Sequence, residues 1–302
     1  MNAPIALFVY QRIRETRIAV SALKANELAA ESDLFIFSDA PRSGSSSRNV
    51  ATVREYLRTI NGFRSISIIE RETNFGLSRS IIDGVGMLVE RYGKVIVVED
   101  DLETSKYFLN FMNDALQFYE SDERVLSIHG YVYPVKGTLP STFFLKGADC
   151  WGWATWKRGW ELFEQDGRVL EEQLKQRNVC DEFDFNGTYP YTRMLRQQIE
   201  GKNDSWAVRW YASAFLKDKL TLYPGRSLVN NISSDSLGTH TKHLAAFQSA
   251  LSPVSLSVGD VPVEDHPEAR RLFEQFFQSL RVPLYKKILN VVRSMTGNHG
   301  AA

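Results

Sequence analysis

At 302 residues, with 43% hydrophobic, 24% charged and 12% aromatic side chains, the chain has the composition of a folded protein with a large core, which excludes disordered, collagen-like and disulfide-stapled readings. Its 36 basic residues cancel its 36 acidic ones, so no global field attracts polyanions and no nucleic-acid partner is expected. Two cysteines, Cys150 and Cys180, do not make a secreted framework, and no apolar run approaches ~18 residues; a cytoplasmic chain without leader or membrane span is expected.

The first half alternates two periods. Residues 4 to 10 (PIALFVY) form an apolar run of buried-strand length, and Ile18, Ala19, Ala22, Leu23 and Ala29 follow at helical spacing. The same alternation returns with residues 34 to 38 (LFIFS) before Val50, Val53, Leu57 and Ile60. It returns with 65 to 69 (SISII) before Ile81, Ile82, Val85, Leu88 and Val89, and with 94 to 98 (KVIVV) before Phe108, Phe111, Met112, Ala115, Leu116 and Tyr119. Four strand–helix units of this kind predict an α/β fold, a mostly parallel central sheet flanked by helices, because parallel strands require crossovers that cover both faces. Ligands in such sheets bind beyond the carboxyl ends of the strands.

After residues 125 to 128 the rhythm changes. Residues 131 to 163 are rich in aromatics, 168 to 200 read as polar helices broken near Phe185-Asn186-Gly187, and 206 to 217 reads as a short helix before strand-like 220 to 224. Residues 267 to 295 predict an amphipathic helix interrupted at Pro283. This tail holds six basic residues and one acidic between Arg270 and Arg293, so it carries +5 and the remainder −5. Two readings of it stand side by side: a basic stripe lying at the inner face of an anionic membrane, or a stripe packed on the body or on a second subunit as a homodimer. The expected organisation is one ligand-binding half over 1–130, a second over 131–250 and a helical tail over 251–302.

The strand ends carry the chemistry. Glu99-Asp100-Asp101 follows the fourth strand directly, and three adjacent carboxylates gain nothing from a sheet; a divalent cation with attached phosphates accounts for them, although one acid would also serve as a helix cap. The first strand delivers Tyr10-Gln11-Arg12, the second Ser38-Asp39-Ala40-Pro41, and the third a loop with Asn74 and Gly76, where a glycine opening a helix lets backbone N–H groups approach an anion and Arg79 can reach a phosphate. All six tryptophans fall in two segments, 151 to 160 and 206 to 210. Most are expected in the core, with Trp151 and Trp153, on either side of Gly152, placed to approach a sugar.

Residues 95 to 103 (VIVVEDDLE), with NFGLSRS upstream and FSDAP before that, resemble the donor half of GT-A-fold glycosyltransferases. The acidic triplet is similar to that of β-1,2-N-acetylglucosaminyltransferase I, and residues 146 to 160 and 204 to 215 resemble bacterial polysaccharide glycosyltransferases; the likeness spans roughly residues 4 to 241. It implies a metal-dependent, inverting glycosyltransferase that moves a sugar from a nucleoside-diphosphate donor, a UDP-sugar foremost, to a glycan or lipid-linked glycan in surface polysaccharide assembly. It also implies that Asp39 reads the nucleobase, that Arg12 lies near the base or phosphate, that Asp100 lies by the ribose or sugar, that Glu99 faces the transferred sugar, and that Asp101 ligates Mn²⁺ or Mg²⁺. His240, with His243 beyond it, is the implied second metal or diphosphate contact.

An inverting transfer needs a carboxylate to take the acceptor's proton. Asp204, before the 206 to 217 helix, is the first candidate, standing two residues early relative to the acid of the related enzyme and equally able to cap the helix; Asp149 is its rival. A sugar nucleotidyltransferase is the alternative, though no Gly-rich phosphate loop follows the first strand, and a non-catalytic carbohydrate-binding protein is another. No dinucleotide fingerprint, Walker loop or nucleophile elbow is present.

Overall fold

The computed structural model describes residues 1–233, 245–259 and 261–281. The four apolar runs are parallel strands: β1 (Ile5–Val9) lies between β2 (Asp33–Ser38) and β4 (Lys94–Glu99), and β3 (Ser65–Glu70) borders β2. Beyond β4 the sheet continues through β8 (Trp153–Trp156), β6 (Val125–His129), β9 (Leu220–Pro224) and β7 (Thr142–Lys146), giving the order 3-2-1-4-8-6-9-7. β8 and β7 run against their neighbours, so the sheet is mostly parallel with two reversed strands. A small second sheet pairs β5 (Leu102–Thr104) with β10 (Val229–Asn231).

Helices cover both faces, which is why the central strands read as continuous apolar runs rather than as alternation. On one side, Ile5, Leu7, Ile96 and Val98 meet α1 (Ile13–Lys24), α2 (Gly44–Leu57) and α4 (Phe108–Phe118). On the other, Ala6, Phe8, Val95 and Val97 meet α3 (Gly76–Tyr92). The serine-rich stretch at residues 43 to 47 starts α2: Ser43 and Ser46 form a reciprocal capping box, satisfying N–H groups that a helix end leaves unpaired.

The second half adds α5 (Lys157–Trp160), α6 (Gly167–Gln176), α7 (Cys180–Phe183), α8 (Tyr191–Ile199) and α9 (Trp206–Leu216). The expected break is present, with positive φ at Phe185, Asn186 and Gly187 in succession. All but one residue of α9 is buried, because it packs on α3 with Trp206 and Trp210 and on the outer strands with Val208, Tyr211 and Phe215.

The tail departs from a free amphipathic helix. α10 (Pro267–Ser279) buries Phe273 and Phe277 against Phe143, Phe185 and Tyr223 of the same chain and Leu272 beside Gly137, so the first half of its apolar stripe is covered by the body. Arg270 is drawn into that contact, donating to the Glu182 carbonyl at 2.6 Å and lying 4.7 Å over the Phe185 ring. The remainder of the expected stripe lies outside the described residues. Among those described, no helix is long and apolar enough to cross a membrane.

Candidate active site

The acidic triplet stands at the carboxyl end of β4, in the middle of the sheet. Its neighbour β1 ends in Tyr10-Gln11-Arg12, and the two strand ends are tied together: the Tyr10 N–H donates to Asp100 Oδ2 at 3.3 Å, and the Arg12 guanidinium donates to Asp100 Oδ1. The same guanidinium is 3.1 Å from Asp101 Oδ2 and 3.3 Å from Ser233 Oγ. The Asp101 carbonyl accepts from Ile232 N–H at 2.8 Å, which brings the strand following β10 across the acids. Arg12 thus bridges Asp100 and Asp101, with Glu99 next in the chain. Burial pushes the Glu99 carboxyl up to about 8, with Asp101 and Asp100 adding to the shift and Arg12 opposing it. Burial also raises Asp100 to about 6 against the pull of Arg12.

Hard oxygen donors gathered at one strand end suit a divalent cation that takes one or two carboxylates and fills its shell with phosphate oxygens. Asp101, partly exposed beside Arg12, is placed for that role, with Glu99 and Asp100 behind it. Among the described residues, no three His, Cys, Asp or Glu side chains converge into a ready-made cage. His240 and His243 lie outside the described residues.

A cavity of about 380 Å³ opens beside the triplet, lined by Tyr10, Arg12, Asp39, Asn74, Glu99 and Asp100 among others. Asp39 shapes its wall. Oδ1 accepts from the Ala40 and Phe75 N–H groups and Oδ2 from the Gly76 N–H and the Asn74 amide, all at 2.8–3.0 Å, so the four acceptor positions of this carboxylate are filled. Asp39 therefore acts as a cap for α3 supplied from another strand, and its expected contact with a nucleobase would require it to release one of these bonds. Gly76 makes the arrangement possible, because its φ of +72° turns the loop into the helix where an L side chain would be strained. Gly76 and Leu77 reach the cavity from the first turn of α3. Arg79 does not line it; its guanidinium is stacked on Phe75, 3.8 Å from the ring centre.

A second cavity, about 390 Å³, lies at the turn that leads into β8, with Cys150 in its lining. Its walls are aromatic: Tyr133, Trp151, Tyr189, Tyr191, Tyr211 and Phe247, drawn from five separate places in the chain. Asp149 is the charged residue of the lining. Tyr133 Oη donates to Asp149 Oδ2 at 3.1 Å, the Cys150 N–H donates to Oδ1 at 2.8 Å, and His129 Nε2 lies 3.9 Å from Oδ1. His129 accepts the Trp151 N–H at 3.1 Å and is fully buried, which lowers its pKa below the ordinary imidazole value, so it stands there neutral. Gly152, at φ +63°, turns the chain from this corner into β8, where a Cβ would stand 2.6 Å from Val229 Cγ2.

Of the two candidate bases, the structure brings Asp149 to a cavity and leaves Asp204 outside both. The Asp204 side chain is 70% exposed, 3.9 Å from Arg209. It does not cap α9 either, since Ser205 Oγ accepts the Val208 N–H. Of the two tryptophans expected near the sugar, Trp151 lines the cavity while Trp153 is buried at the centre of an indole cluster with Trp160, Trp206 and Trp210, centroids 5.5–5.7 Å away. The reason is strand alternation: Trp153 is paired with Val97 of β4 and shares its face, toward α3 and α9. Tyr133, His129, Tyr189, Tyr191 and Phe247 escaped the sequence reading. Their signal, an aromatic excess in loops without periodicity, marks a region but no single residue.

No family model matches the sequence, and no curated protein does. Solved structures similar to part of it include the mannosyltransferase PcManGT from Pyrobaculum calidifontis, in complex with GDP-Man and Mn²⁺, at 11% identity and a TM-score of 0.32 over 44% of this chain and 36% of the other. S. aureus TarS 1-349 is similar at 13% identity and a TM-score of 0.30, over 58% and 49%. Mouse xyloside xylosyltransferase 1 is similar at 12% identity and a TM-score of 0.29, over 44% and 53%. The chain thus matches between about a third and a half of the length of those proteins.

Proposed function

We propose that the protein is an inverting glycosyltransferase that holds a nucleoside-diphosphate sugar beside Glu99-Asp100-Asp101 and transfers the sugar to an acceptor hydroxyl in the aromatic cavity. The observation that carries this reading is the pairing of β4 with β8: Val97 is paired with Trp153 in antiparallel register, so the acids that end β4 and the Asp149-Cys150-Trp151 corner that leads into β8 stand at the same edge of the sheet. Cys150 lines the aromatic cavity, and its thiol is raised first by burial and then by the carboxylates of Asp149, Glu99 and Asp101, in keeping with that placement. A charged-oxygen site joined to an aromatic one suits a donor diphosphate on one side and a saccharide on the other.

In this account Asp149 accepts the proton of the acceptor hydroxyl as its oxygen bonds to C1 of the sugar and the bond from C1 to the diphosphate oxygen breaks. Tyr133 and the Cys150 N–H fix the carboxylate's orientation, and each of its oxygens keeps acceptor capacity for that proton. Arg12 faces the side of the diphosphate, where a guanidinium suits a phosphate. A divalent cation at Asp101, Mn²⁺ or Mg²⁺, would supply Lewis-acid neutralisation of the departing diphosphate when bound. The acceptor setting, a glycan or lipid-linked glycan of a surface polysaccharide, rests on the sequence resemblance.

Thermal-shift screening of nucleoside diphosphates and sugar nucleotides, with and without Mn²⁺, tests this directly. A metal-dependent rise in melting temperature for one base is expected; no shift with any of them would overturn the reading.

A further inference from the structure

The aromatic cavity has a charge balance that narrows what can enter it. Among the described residues lining it, Asp149 is the acid, and none is lysine, arginine or histidine. Among the described residues no lysine or arginine forms an ion pair with Asp149, and the nearby His129 is neutral for the reason given above. The carboxylate therefore stands in an aromatic enclosure with no countercharge among the described residues, and its field reaches the walls: the phenols of Tyr133, Tyr189 and Tyr191 are raised first by burial and next by Asp149.

Resting on the glycosyltransferase reading, we infer that the acceptor is an uncharged glycoside whose apolar ring face or aglycone lies against the wall of Tyr133, Trp151, Tyr189, Tyr191 and Phe247, and that anionic saccharides such as uronates and sugar phosphates are excluded. Aromatic faces offer area to the C–H face of a pyranose, and a neutral hydroxyl is the group that hydrogen-bonds to a carboxylate with no charge to repel. An anion brought beside Asp149 meets like charge in a partly desolvated site, where the interaction is several times stronger than in water. A cationic amino sugar is the other ligand that such a cavity attracts. Its ammonium would bind Asp149 as an ion pair and occupy the oxygens that must take the hydroxyl proton, which makes it an inhibitor's chemistry rather than an acceptor's.

The test is direct binding, read by saturation-transfer difference NMR and titration of the full chain with Mg²⁺ and UDP present, using 4-nitrophenyl β-D-glucopyranoside, β-D-glucuronide and β-D-glucosaminide. The three share an aglycone and ring and differ in charge. The neutral probe is expected to bind at least about tenfold tighter than the glucuronide. Asp149→Asn is expected to close most of that gap by strengthening glucuronide binding, and Trp151→Leu to weaken the neutral probe severalfold. Equal binding of the neutral and anionic probes, binding of the glucosaminide no tighter than that of the glucuronide, an unchanged gap in Asp149→Asn, or no binding of any probe would each overturn the inference. Because the probes report the aromatic cavity alone, a neutral preference found together with no nucleoside-diphosphate binding would overturn the glycosyltransferase reading instead.

Discussion

The two cavities are built by opposite means. The donor side is assembled from the ends of neighbouring strands: Tyr10 to Arg12 after β1, Asp39 after β2, Asn74 and Gly76 after β3, and the triplet after β4. Once the parallel sheet is set, register alone brings these residues to one edge. The acceptor side has no such rule, because Tyr133, Asp149, Tyr191 and Phe247 come from loops and helix ends that the sheet orders only through packing. A site written by topology tolerates little change in its polar residues, whereas one written by packing depends on its aromatic walls. Substitutions on the two sides should accordingly fail in different ways.

The largest difference is expected at the acids. Asp101→Ala should reduce sugar transfer by about three orders of magnitude or more, in the range for losing stabilisation of a developing charge, while leaving neutral-glycoside binding in the aromatic cavity unchanged. Asp149→Asn should lower turnover by about 10²- to 10⁴-fold, the usual worth of a general base, with donor binding intact. Asp204→Asn, on an exposed side chain outside both cavities, should stay within about twofold of wild type in the same assay; a loss equal to that of Asp149→Asn would reverse the assignment of the base.

The tryptophans divide the same way. Trp153→Ala removes a ring from the core and should cost about 3–5 kcal/mol, read as a lowered denaturant midpoint. Trp151→Leu should leave the midpoint nearly unchanged and raise the acceptor KM.

The smallest effect concerns pH. The folded chain raises Glu99 from 4.5 to about 8, so it binds that proton more tightly than the unfolded chain does. Glu99 then contributes stability below about 4.5 that is lost as pH rises toward about 8. In chelator-treated protein, the melting temperature should fall less between pH 5 and 8 for Glu99→Gln than for wild type, and equal slopes would contradict the burial argument.

The legibility of the chain follows from the same contrast. All four parallel strands and their helices were readable, since burial on both faces writes an unbroken apolar run such as Val95 to Val98 and a crossover helix writes a periodic one. The reversed strand β8 was not, because its four residues are hidden among the tryptophans, and the short β5 follows the triplet with no turn signal of its own. At the site, a run of three acids is visible as chemistry, whereas Tyr133 and His129 gain meaning only from where Asp149 lands. Asp39 was legible as a strand-end residue but not as the cap of α3, since that bond joins positions more than thirty apart. Asp204 and Trp153 misled because their neighbours in sequence suggested a site, while exposure in one case and strand alternation in the other placed them elsewhere.

Isothermal titration of a nucleoside diphosphate into wild type and Asp101→Ala, with Mn²⁺ and then with a chelator, addresses the central claim. Wild type should bind only with the metal, and the variant should lose at least about tenfold in affinity under the same conditions. Binding that ignores both the metal and the substitution would show that the acids at the end of β4 do not hold a diphosphate.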